Sequence, residues 1–258
     1  MPTIYADNKD ARIVSHHTQW FRARDAISGS TQSIPSASES SSPYICGYSP
    51  HNKTIPEFNN GAGNHHLIRS FYYFDFSGVS GTVASATLSI YGLTNGGLDC
   101  RIIKSTAFGG DGGTALVTSD WAAIPGYNSG GTLSGNVTEY STEITSWSTS
   151  GYNNFGLNGT AISDINSVSR LIVCLIDSDF DYPHNSSPFG GNIGGFIPNP
   201  PHNGGYYSEV SSILRRPKID YVLAATSDID KVNGVSRANI GKINAVAISN
   251  IESILDVQ

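Results

Sequence analysis

Residues 68–93 read IRSFYYFDFSGVSGTVASATLSIYGL, and two alternating runs in this stretch decide the fold class. In IRSFYYFDF, Ile68, Tyr72, Phe74 and Phe76 share one face, and Arg69, Phe71, Tyr73 and Asp75 share the other. A period of two is the pattern of a β-strand, whose successive side chains point to opposite faces. In ASATLSIYGL the same period sets Ala86, Leu88 and Ile90 against Thr87, Ser89 and Tyr91. The short SGVSG spacer between them is turn chemistry. The stretch predicts two strands, each burying one face.

The rest of the chain extends this reading. RLIVCLID (170–177) is apolar on both faces and predicts a central, doubly buried strand, although periodicity by itself also admits a short buried helix. PKIDYVL (217–223) alternates again, with Ile219, Tyr221 and Leu223 directed inward. Turn-forming clusters separate the runs: GGDGG at 109–113, PGYNSGG at 125–131 and SGYNN at 150–154. Two longer stretches lack any period and are read as loops, the Ser-rich 28–43 and the Gly-, Pro- and Asn-rich 183–205. Before residue 227 no run of helical spacing is evident. The expected architecture is an all-β, jelly-roll-like antiparallel β-sandwich over residues 1–224.

Composition narrows the function. Of 258 residues 28 are Gly and 13 Tyr, and only 14% are charged, which suits short strands and turns rather than long helices. The net charge is −6 and the 15 Lys and Arg form no dense basic run, which argues against nucleic acid or an anionic membrane as partner. The longest apolar run of the body, Leu171–Ile176, is far too short for a membrane span. The opening MPTIYADNKDARIV has no apolar core of the roughly 7–15 residues a secretory signal needs, so none is expected. Cys46, Cys100 and Cys174 are too few for a disulfide framework, and Cys174 within RLIVCLID reads as a small core residue.

The order of the pieces resembles the DNRLRE-type β-sandwich domain, a jelly-roll module related in shape to carbohydrate-binding modules. The resemblance is carried by YFDFSGVSGTVASATLSIYGL (Tyr73–Leu93), by NVTEYSTEITSWSTSGYNNFGLNG (Asn136–Gly159), and by the Arg216-Pro217 step before the last strand. It covers roughly residues 1–224. It implies a two-sheet jelly roll and adhesion-like behaviour. The 16-residue Ser-rich insertion at 28–43 departs from the pattern and leaves the pairing of the first strands open.

No catalytic constellation stands out. HExxH, GxSxG and CxxC are absent, and the neighbours in His16-His17 and His65-His66 point to opposite faces of a strand. The chain is therefore read as a non-enzyme without a cofactor. Asp177, Asp179 and Asp181 alternate in DSDFD and are the candidate oxygen ligands for a structural Ca²⁺. Exposed aromatic rings are the expected means of glycan binding, with Trp121, Tyr206 and Tyr207 as candidates, while Trp147 reads as core.

The tail, 225–258, is different in kind. IDKVNGVSRAN is followed by IGKINAVAISN and the partial copy IESILDVQ, with five identities between the two full units. At about 100° per residue the apolar positions 1, 4 and 7 of each unit fall in one stripe about 140° wide, which predicts a short helical tail. Asn233-Gly234 favours a turn instead, so the alternative is one short helix per unit. Either way Ile229, Val232, Val235, Ile240, Ile243, Val246, Ile251 and Ile254 need a partner surface. The Ile-x-Lys-Val-Asn-Gly-Val flavour resembles tails of bacteriophage structural proteins. Together these readings predict a non-enzymatic virion protein, a displayed sandwich anchored by its tail to other virion proteins. Such a protein is expected to be a homo-oligomer and to touch host glycans. The alternatives are a secreted carbohydrate-binding or cell-surface adhesion module and a subunit of an extracellular filament.

Overall fold

A computed structural model describes residues 1–33, 41–51, 64–128, 130–186 and 201–225, together with the pairs 231–232, 235–236, 242–243 and 246–247. The chain divides into two compact units, Met1–Val222 and Leu223–Gln258. In chain order the strands of the body are β1 (Thr3–Tyr5), β2 (Ala11–His17), β3 (Thr31–Ser33), β4 (Ser41–His51), β5 (Asn64–Asp75), β6 (Val83–Tyr91), β7 (Cys100–Lys104), β8 (Tyr152–Gly156), β9 (Arg170–Asp177), β10 (His202–Tyr206) and β11 (Lys218–Leu223). Two helices, α1 (Trp20–Arg24) and α2 (Gly159–Val168), interrupt them.

The strands form two antiparallel sheets in a sandwich-like arrangement. The smaller runs β1-β11-β6-β8; the larger contains β10-β4-β5-β2-β3, with β9 beside β5 and β7 beside β9. The long strand β5 organises the larger sheet. Along one edge it holds β2, from Ala11↔Phe71 to His17↔His65. Along the other it takes β4 first (Gly47↔Ile68) and then β9 (Ser70↔Leu175 to Asp75↔Arg170).

The predicted core is where the alternation placed it: Phe74, Phe76, Leu88, Ile90, Val173, Cys174 and Ile219 are all buried in one cluster. β9 is a strand buried on both faces, Arg170 excepted. The apolar run resolves as strand rather than helix because two neighbours, β5 and β7, satisfy its backbone. Cys46, Cys100 and Cys174 are buried free thiols.

Several local expectations need correction. Leu223, expected to point inward with Ile219 and Tyr221, is exposed at the end of β11, past the last register pair with β1, Thr3↔Asp220. Arg69 and Phe71, on the face of β5 opposite Phe74, are buried as well, because the segment carrying Trp121 and the turn carrying Asp181 fold over that face. Ile68 packs with Val14 and Tyr44 outside the main core. Parts of both expected loops are strand, since Thr31–Ser33 pairs with β2 and His202–Tyr206 with β4; residues 34–40 and 187–200 lie outside the described residues. The helix α2 was not legible. Its sequence GTAISDINSV buries only Ala161 and Ile165, so its apolar face is too narrow to announce itself. Asn158 starts it by accepting the N–H groups of Thr160 and Ala161, and Ser169 ends it with a left-handed φ of 53°. Among the described residues no helix is long and apolar enough to cross a membrane.

In the tail the helical expectation falls mostly outside the described residues, but what is described is extended. β12 (Lys231–Val232) pairs with β13 (Val235–Ser236), and β14 (Lys242–Ile243) with β15 (Val246–Ala247). The two ladders are offset by 242 − 231 = 11 residues, the period of the repeat. Asn233-Gly234, between the first pair of strands in sequence, is the dipeptide two-residue hairpins prefer.

Candidate functional site

The outer face of the smaller sheet gathers tyrosines and cations. β6 and β8 turn Leu88, Ile90 and Phe155 inward, and the same alternation leaves Tyr91 and its register partner Tyr152 on the outside. On β1 and β11, Tyr5 lies opposite Lys218, again outside, while Ile219 is buried. Tyr206 arrives from the other sheet through the bridge Gly92↔Gly205. At Gly92 a Cβ would lie 1.8 Å from the carbonyl oxygen of Ser148, so no side chain fits there; at Gly205 a Cβ would lie 3.0 Å from the Tyr91 carbonyl oxygen, a tight approach.

Tyr91 meets Tyr152 edge-to-face at 5.3 Å between ring centroids, and meets Tyr206 in the same way at 5.6 Å. The guanidinium of Arg215 lies over both Tyr91 (5.5 Å) and Tyr206 (5.2 Å), and its Nη1 donates to the Tyr206 hydroxyl at 3.0 Å. Lys218 Nζ sits 4.9 Å from the Tyr152 centroid and pairs with Asp220 at 2.7 Å. The Tyr91 and Tyr152 hydroxyls donate to the carbonyls of Ser150 and Arg216. The three rings are thus braced into a ledge.

Of the rings expected to bind glycan, only Tyr206 belongs to it. Trp121 is fully buried and Tyr207 nearly so. Trp121 lies in the turn Thr118–Ala122, which folds onto β5 so that Arg69 sits 3.9 Å above the indole and donates to the Trp121 carbonyl. Asp120, beside it, accepts the N–H groups of Val117 and Phe108 on Oδ2 and closes the turn. Tyr207 points inward and stacks near Tyr72. Trp147 is core, as expected, and donates to the Gly204 carbonyl.

The aspartate triad is a turn rather than an oxygen cage. Asp177 accepts the backbone N–H groups of Asp179, Phe180 and Asp181 at 2.9–3.1 Å. Asp181 makes a two-pronged ion pair with Arg69 at 2.8 Å on both arms, and Asp179 accepts the N–H of Asp99. The three carboxylates turn to three different partners. Among the described residues no group of three His, Cys, Asp or Glu is placed to hold a metal.

Burial drives the Asp177 carboxyl from its ordinary 3.8 up to about 7; the carboxylates of Asp181 and Asp179 push the same way, and the backbone donors pull back. The folded state therefore keeps this proton while the unfolded chain releases it. Stability from this group is full below about pH 4 and falls as pH rises towards 7, by up to about 1.4 kcal/mol per pH unit. In urea titrations between pH 4 and 7, wild type is expected to lose stability relative to Asp177→Asn as pH rises. Parallel curves would show that Asp177 ionises normally in the fold.

Two features escaped sequence reasoning. The histidine pairs come together across the sheet, His16↔His66 and His17↔His65, with the His16 and His66 rings 5.4 Å apart. Burial lowers the pKa of both His16 and His65, and His17 adds to it, which keeps these rings neutral near pH 7. A cleft of about 160 Å³ is lined by Lys104, Tyr140, Asp164 and Arg170 among others. It is well below the size of ordinary small-molecule sites. Lys104 and Tyr140 both bind Asp164 and so satisfy one another's charge and polarity. No protein-family model matches the chain, and no curated protein matches it. The functional reading accordingly rests on the chain's own residues.

Proposed function

We propose that the chain is a non-enzymatic structural protein of a bacteriophage virion, a displayed β-sandwich held in the particle by its C-terminal repeats. The observation that carries the proposal is the tail. Its described residues form two ladders of two residues per strand, repeated at the 11-residue period. Even a full-length isolated hairpin is marginal in water, and three or more strands or a packed face are needed for stability. Units this small gain order by joining a larger assembly. Their apolar pairs, Val232↔Val235 and Ile243↔Val246, are half of the stripe expected to be buried there. Ile229, Ile240, Ile251 and Ile254 lie outside the described residues. The alternative of a secreted glycan-binding module has less to rest on, since Trp121 and Tyr207 are interior.

Replacing Ile240 and Ile243 together by Asp is the direct test. The sandwich should keep its unfolding midpoint while incorporation into particles, or into homo-oligomers of the purified chain, is lost. Unchanged incorporation, or normal assembly of a chain truncated after Ala225, would remove the tail from its proposed role.

A further inference from the structure

We propose that the tyrosine ledge of one chain docks against the acidic strip beside β7 of a second copy, head to tail. The inference extends the assembly reading above by naming a contact that the body itself makes.

The ledge has the chemistry of a protein-binding surface. Tyrosine and arginine are the residues that most often dominate such contacts, and here Tyr91, Tyr152 and Tyr206 surround Arg215. Immediately before Arg215, Ile213 and Leu214 are 49% and 74% exposed and add apolar surface to the edge of the ledge. A polysaccharide fits the ledge less well. The rings meet edge-to-face and their faces are covered by Arg215 and Lys218, so little flat aromatic surface is left for stacking.

Charge selects the partner. Arg215, Arg216 and Lys218 place three cations within four residues, on a chain of net charge −6; Asp220 pairs with Lys218 and Glu209 faces Arg216, which leaves Arg215 as the cation of the ring cluster. The opposite sign is concentrated on the larger sheet. Beside β7, Glu139 and Glu143 are 41% and 43% exposed, and both reach for Arg101. Asp99 and Asp179 join them there; the carboxyl of Asp99 is raised first by burial and then by Asp179 and Glu143, a sign of their mutual crowding. One cation among four acids leaves that strip negative. Because the ledge and the strip are two different surfaces, a head-to-tail contact between them is heterologous, and repeating it generates a ring or a filament.

The test uses the full-length purified chain in sedimentation velocity, over a range of concentration and of NaCl. Wild type should form oligomers larger than dimers that weaken as salt screens the contact. Arg215→Glu/Lys218→Glu and, separately, Asp99→Lys/Glu143→Lys should each raise the dissociation constant at least ten-fold. Mixing the two variants should restore association, since each then meets opposite charge on both sides. A strictly monomeric wild type, charge reversals without effect, or losses that mixing fails to rescue would each overturn the proposal. The Ile240→Asp/Ile243→Asp chain separates this contact from the tail. If it loses association while charge reversal has no effect, the tail reading stands and the ledge contact falls. If it still responds to charge reversal, the ledge acts without the tail.

Discussion

Arg69→Ala is expected to cost about 3–5 kcal/mol, a large part of the stability of an ordinary domain. Arg69 sits in the middle of β5 with its side chain almost wholly removed from water. Burial works against its charge, but the two-pronged bond to Asp181 more than offsets this and holds the guanidinium protonated, above its ordinary value. It also donates to the Trp121 carbonyl and lies over the Trp121 ring. Removing it leaves the Asp181 carboxylate buried without its partner and opens a cavity beneath the indole. The penalty is therefore for the orphaned charge more than for the lost attraction. Equilibrium urea unfolding followed by tryptophan fluorescence reads it directly. Replacing both partners with apolar residues, Arg69→Met with Asp181→Leu, should recover a substantial part of the loss. If the double variant is as unstable as the single one, the orphaned-charge explanation is wrong and shape is what matters at this site.

Phe74→Ala should be of similar size, about 3–5 kcal/mol, for a different reason. The Phe74 ring has no exposed surface and lies on the face of β5 that meets the smaller sheet, in the same cluster as Leu88, Ile90 and Ile219. Deleting it removes a full aromatic transfer term and leaves a void between two sheets whose backbones are fixed by their ladders and cannot close in. Phe21→Ala is the control: that ring is half exposed on α1, and its removal should cost about 1 kcal/mol or less. Equal losses in the two variants would mean that the register of β5 is wrong.

Phe74 and Arg69 also mark the boundary of what could be read without the fold. Alternation is a local property, so the period of two in 68–76 placed Phe74 and Phe76 correctly and named the strand. It says nothing of what covers the second face. It could not place Arg69 in the interior; the return of the Trp121 and Asp181 segments over β5 made it an interior cation. Trp121 failed for the same reason, because its exposure is decided by a turn that contacts a strand about 50 positions away in sequence. The aspartates of DSDFD were legible as acceptors, but which donors they would meet was not. Asp177 takes its own turn's N–H groups, whereas Asp181 reaches Arg69 across 112 residues.

The candidate surface divides in the same way. Tyr91 was assigned to the outer face of its strand by sequence, and Tyr206 was singled out as an exposed ring; their meeting was unreadable, since it depends on the Gly92↔Gly205 bridge between different sheets. The tail shows the converse. The 11-residue period was plain in sequence, yet a period of that length suits a helical stripe as well as a row of hairpins. The described ladders, extended on either side of Asn233-Gly234 in the chain, decide between them at those positions, because the pairing across that dipeptide is a backbone preference that side-chain periodicity does not encode. The sequence by itself determined four of the body's eleven strands, most of their inward residues and the repeat, all of which are set by local steric and hydrophobic patterns. The tertiary structure decided which faces are covered twice, which charges are paired and which aromatic rings meet, because those depend on contacts between segments distant in sequence.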